Sequence, residues 1–146
     1  MSKFVVVKES KNERSNCGVI ALQYAHNLTY DIAREYAVKY FNYKEGKGMP
    51  FNRALYWGFL RNESLSASEI PSDELKYPGS PRYIKNKNPE KKNIVPVTLI
   101  KFLEKFPKNK YLVEIRGHLF VVNDGKVIGT GYEGNRQKIE GAWLIQ

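Results

Sequence analysis

Tyr111-Leu112-Val113-Glu114-Ile115-Arg116-Gly117-His118-Leu119-Phe120-Val121-Val122-Asn123-Asp124-Gly125 is the stretch on which the fold turns. Tyr111, Val113 and Ile115 alternate with Leu112, Glu114 and Arg116, the period of a strand. Leu119 to Val122 continues as strand, and Asn123-Asp124-Gly125 is a strong hairpin signal because Asn, Asp and Gly accept the left-handed backbone of a tight turn. Lys126 to Gly131 then returns antiparallel, and Ala142 to Ile145 reads as a last strand.

The chain before this stretch has helical spacing instead. Thr98 to Phe106 carries Leu99, Phe102, Leu103 and Phe106 on one side, and Pro107 ends it. Near the start, Ser15 or Asn16 can cap a helix beginning at Cys17, with Ile20, Ala21, Tyr24 and Leu28 following at helical intervals. Thr29 caps a second helix with Asp31 in its first turn, where the helix dipole favours an anion. Pro50 suits the first position of a third, carrying Leu55 and Phe59. Phe4 to Val7 is a short β-branched run that reads as an edge strand or arm. Helices first and antiparallel strands second is an α+β order, with the N-terminal helices packed on a C-terminal antiparallel sheet.

Residues 61–95 have a different character. Ser64, Ser66, Ser68, Pro71, Pro78, Gly79, Pro81 and Pro89 interrupt them, and a basic run extends from Arg82 to Lys92. They read as a long surface loop or insertion, either a lid over a site or an elaboration without a role in one. The 146 residues otherwise fit a single domain, 1–146.

Composition narrows the function classes. One Cys excludes an internal disulfide and a cysteine-based structural zinc site. No apolar run approaches the roughly 20 residues of a membrane span, and the first residues lack a signal peptide's apolar core, so a cytoplasmic protein without membrane attachment is expected. No phosphate-binding Gly-rich loop occurs, and no cofactor or metal is expected. A formal net charge of +9 draws polyanions and acidic protein surfaces at long range, or is simply a solvated lysine-rich surface.

The chemistry-bearing candidates are Cys17 and His118. A thiol attacks as thiolate, and its pKa falls from about 8.5 at a helix N-terminus or beside an imidazolium. Cys17 begins a helix, and Gly18 beside it allows close approach of a substrate to the backbone. His118 opens a strand, which can hold an imidazole rigidly against a helix start. His26, nine positions along the same predicted helix, is too far from Cys17 and is given no role. The structural alternatives are a buried Cys acting as a small hydrophobe and a strand His satisfied by a backbone carbonyl. Tyr36, Tyr40, Phe41 and Tyr43 could stack on bases, but at helical spacing they read as core.

Ser15-Asn16-Cys17-Gly18-Val19-Ile20-Ala21-Leu22, then Gly46-Lys47-Gly48-Met49-Pro50, then Leu99 to Phe106, then Tyr111 to His118 running into Val121 to Gly125, occur in an order and spacing that resemble the papain-like cysteine peptidase superfamily. The likeness is to its small bacterial and phage-type members and touches most of the chain outside 61–95. It implies a papain-like fold and a cysteine hydrolase acting on a peptide or isopeptide bond of a protein or peptide substrate, with Cys17 as nucleophile and His118 as base. It also implies a third polar residue that orients the histidine. A three-residue hairpin loop would set Thr130 opposite His118, and a two-residue loop Gly131. Asn135 lies near the spacing the family leads one to expect, so Asn135 and then Thr130 are the candidates. Papain-type enzymes carry an amide before the Cys for the oxyanion, and Asn12 has that chemistry. The alternative is an inactive scaffold of this kind that binds nucleic acid or an acidic protein through its basic surface.

Overall fold

The computed structural model describes residues 4–6, 16–44, 47–49, 53–61, 65–78, 94–129, 133–134 and 136–145. Its elements in chain order are β1 (Phe4–Val6), α1 (Cys17–Ala25), α2 (Tyr30–Tyr40), α3 (Arg53–Arg61), β2 (Ala67–Glu69), a 3-10 turn (Ser72–Leu75), β3 (Lys76–Pro78), β4 (Ile94–Pro96), α4 (Leu99–Lys105), β5 (Lys110–Ile115), β6 (His118–Asn123), β7 (Lys126–Gly129) and β8 (Gly141–Ile145). The main sheet has six strands in the order β1-β7-β6-β5-β8-β2, and β3 pairs with β4 separately. Five neighbouring strands, β7 to β2, are antiparallel, and β1 is added parallel to β7. The fold is α+β.

The central strands are apolar on both faces. Leu112, Leu119, Val121 and Trp143 pack with Val19, Ile20, Leu22, Ala33, Phe41, Leu55 and Phe59 of the first three helices and their links. Tyr111, Val113, Ile115, Phe120, Val122 and Ala142 pack with Leu99, Phe102 and Leu103 of α4 on the other face. Strand alternation sends successive side chains to opposite sides, so a sheet covered twice needs nearly continuous hydrophobicity. That is why β5 and β6 are buried along almost their whole length.

Turn chemistry sets the β6–β7 register. Asn123 pairs with Lys126, leaving a two-residue loop of Asp124 and Gly125. Both residues have positive φ, +48° and +79°, the backbone of a type I′ turn that matches the twist of the strands. The Asp124 carboxylate accepts from the Asn109 backbone N–H at 2.9 Å, which fastens the turn to the start of β5.

Thr29 caps α2 as its sequence predicts, accepting from the Ile32 N–H at 3.3 Å. The start of α1 differs. Asn16 is the cap residue by position, but its side chain makes no capping bond. Its amide donates to the Tyr30 hydroxyl at 3.0 Å in a buried contact, tying the start of α1 to the start of α2. Ser15 and Pro50 lie outside the described residues.

The described parts of residues 61–95 include short ordered pieces. Ala67–Glu69 pairs with β8 and completes an edge of the main sheet, Leu75 is buried in the α4-side core, and β3 begins a small hairpin with β4. Ser and Pro density hid the strand because an edge strand needs pairing on one side only. The basic run Arg82 to Lys92 lies outside the described residues. Among those described, no helix is long and apolar enough to cross a membrane.

Helix α3 seats against α2 through Gly58, whose missing side chain leaves room for the fully buried Phe41 ring. Phe59 beside it stacks edge-on to Phe41 at 5.2 Å and meets Trp143 of β8 at 5.1 Å. A methyl group on Gly58 overlaps the Phe41 ring, so Gly58→Ala should lower stability by about 1–3 kcal/mol. The midpoint of urea unfolding followed by circular dichroism measures this; an unchanged midpoint would contradict the packing.

Candidate active site

His118 is the first residue of β6 and pairs with Ile115 across a tight turn whose Gly117 has φ +71°. His118 stays 8 % exposed there. Its ring lies nearly parallel to Phe120, two residues along on the same sheet face, at 5.9 Å. Helix α1 packs across β5, β6 and β7 and delivers Cys17, its first residue, to this end of the sheet. The Cys17 side chain lies close enough to the His118 ring to raise its pKa. Cys17 is half-buried, so its sulfur is not sealed within the core.

The second partner of His118 is Glu133. Its Oε1 lies 2.6 Å from His118 Nε2, and its side chain is only 3 % exposed. With Nε2 engaged there, Nδ1 is the ring nitrogen left for the sulfur. A buried carboxylate is costly unless it is paired and hydrogen-bonded, and the imidazole supplies both. Room for it comes from β7: any side chain at Gly129 would occupy the space of the Glu133 carboxyl group. The segment carrying Glu133 is anchored just beyond it. Gly134 N–H donates to Gln137 Oε1 at 2.7 Å, and the Gln137 carbonyl accepts from Leu99 N–H at 2.8 Å at the start of α4.

These contacts set the electrostatics of the ring. Burial works against the imidazolium, but hydrogen bonds to Cys17 and Glu133, together with their negative charge, outweigh it. The His118 pKa rises from 6.5 to about 9. A line of sulfur, imidazole and carboxylate with the imidazole held protonated can keep a thiolate beside it and return a proton to a leaving group.

Cys17 and His118, which the sequence puts forward from opposite ends of the chain, are thus in contact. Thr130, Asn135 and Asn12 lie outside the described residues. The group on His118 Nε2 is Glu133, which neither strand register nor family spacing indicates. One signal was available: Glu133 is the sole acidic residue between Asp124 and Glu140, and it follows two glycines, Gly129 and Gly131. Gly18 also differs from expectation. The space in front of it is filled by the Met49 side chain. His26 sits at the far end of α1, with its pKa lowered to about 4 by burial and by the Lys110 charge, and takes no part in the site. Among the described residues no cluster of His, Cys, Asp and Glu has the makings of a metal site.

Comparison of the chain with protein-family models, with curated proteins and with solved structures finds no match.

A histidine whose pKa is higher folded than unfolded adds stability that is complete below about pH 6.5 and disappears as pH rises through about 9. Wild-type stability to urea should therefore fall over that window. Glu133→Gln removes the charge and should lower the His118 titration, read by proton NMR, from about 9. Gly129→Ala should act in the same direction by displacing the carboxylate. A His118 that still titrates near 9 in both variants would contradict this account of the shift.

Proposed function

We propose that the chain is a papain-like cysteine hydrolase that cleaves an amide, a peptide or isopeptide bond, in a protein or peptide substrate. The observation that carries the proposal is the continuous line from the Cys17 sulfur through His118 to the buried Glu133 carboxylate. Chain order also agrees with the family pattern, with the thiol at the start of the first helix and the imidazole at the start of a later strand.

The mechanism follows from these groups. The thiol proton rests on His118 in a thiolate–imidazolium pair, and the Cys17 thiolate adds to the carbonyl carbon of the substrate. The oxyanion that forms lies at the N-terminus of α1. There the first backbone N–H groups have no acceptor within the helix, and the dipole is positive. Asn12 is the side-chain candidate for a further donor. Collapse of the tetrahedral adduct breaks the carbon–nitrogen bond, and the leaving amine departs with the proton from His118. Water then adds to the thioester while His118 accepts one of its protons; the sulfur leaves as the thiolate beside the imidazolium and the product as a carboxylic acid. Glu133 keeps the ring oriented and stabilises its charged form, as the carboxylate does in other triads.

Hydrolysis of a quenched-fluorescent peptide library should fall at least about 1,000-fold in Cys17→Ala and in His118→Ala, with circular dichroism unchanged. Full activity in either variant would refute the reading. The pH profile is a second test. The leaving amine needs a protonated His118, so the rate should fall as pH rises through about 9. A basic limb near 6.5 would mean that the raised titration of His118 does not govern the chemistry.

A further inference from the structure

A groove of about 510 Å³ is lined by Asn42, Lys44, Lys47, Gly48 and Met49. Met49 forms its wall and also fills the space in front of Gly18, the residue after Cys17. We infer that this groove is a substrate subsite for an acidic side chain, so that the hydrolase prefers peptides with Asp or Glu close to the scissile bond. The inference rests on the function proposed above and adds the substrate class.

Three observations support it. The described lining contains two ammonium groups and no carboxylate; Glu45, between the two lysines in sequence, lies outside the described residues. The backbone groups of Lys44, Lys47 and Gly48 bond to one another. Lys44 N–H donates to the Gly48 carbonyl at 2.9 Å, Gly48 N–H returns to the Lys44 carbonyl at 2.9 Å, and Lys47 N–H donates to the same carbonyl at 3.0 Å. Gly48 takes φ +82°. Both side chains are exposed, while Met49 behind them is buried, so the groove has an apolar wall and a cationic rim. An extended peptide advances about 3.3 Å per residue, so a side chain one or two positions from the attacked carbonyl can reach such a rim.

Two lysines at that range favour a carboxylate by about three- to fivefold at low salt, and the preference fades as the Debye length shortens. The test uses two thiol-alkylating probes, chloroacetyl-glutamate α-amide and chloroacetyl-glutamine α-amide. They differ by one charge, and in each the sulfur displaces chloride. Their rates on Cys17 are compared in 20 mM and 500 mM salt, in the wild type and in the Lys44→Gln/Lys47→Gln double variant. The acidic probe should react about three- to fivefold faster than its neutral twin in the wild type at low salt. That ratio should drop in the double variant and at high salt. Equal rates in the wild type, or a ratio the double variant leaves intact, would overturn the inference. The His118 charge acts on both proteins alike and cancels in the comparison. A neutral probe that modifies Cys17 no faster than free cysteine would count against the hydrolase instead. The charge ratio reads the groove whatever the absolute rate.

Discussion

His118 is held by two partners on its two sides, and the site depends on that geometry. An imidazole buried to this degree would ordinarily lose its proton, because burial favours the neutral ring. Here Cys17 on one side and the Glu133 carboxylate, 2.6 Å away and nearly excluded from water, on the other together reverse the preference. The imidazole stabilises the carboxylate in turn, and β7 leaves it a vacancy at Gly129. Sheet, turn and loop each supply one part: β6 aims the ring, β7 withholds a side chain, and the Gly134–Gln137 turn fixes the approach of the acid.

The rest of the fold brings a helix start to that ring. Covering both sheet faces makes the central hairpin rigid, and α1 lies across it with its N-terminus at the end where β6 begins. Asn16 and Met49 secure the helix start from two directions, one through the buried bond to Tyr30 and the other through packing on Gly18. Turning the Asn16 amide towards Tyr30 instead of its own helix keeps that side chain from competing for the first-turn N–H groups beside Cys17. The positive dipole end and the imidazolium act in one sense, which suits a thiolate.

Much of this was legible along the chain. Thr29 announced the start of α2, Asp124-Gly125 announced the hairpin, and the helix and strand periods gave an α+β order, because caps, turns and periodicity are local properties read within a few residues. Cys17 and His118 could be singled out by residue type and position. Three things depended on distant parts of the chain meeting. Ala67–Glu69 is a strand only because β8 offers it an edge, so a Ser- and Pro-rich composition concealed it. Met49 closes on Gly18 across a loop. Glu133 reaches His118 over Gly129, outside any strand register, and no spacing rule encodes a contact made through a missing side chain. The sequence by itself determined which elements form and which residues carry reactive groups. The tertiary structure decided which acid meets the imidazole, because that choice rests on vacant volume and burial, and neither exists until the sheet has closed.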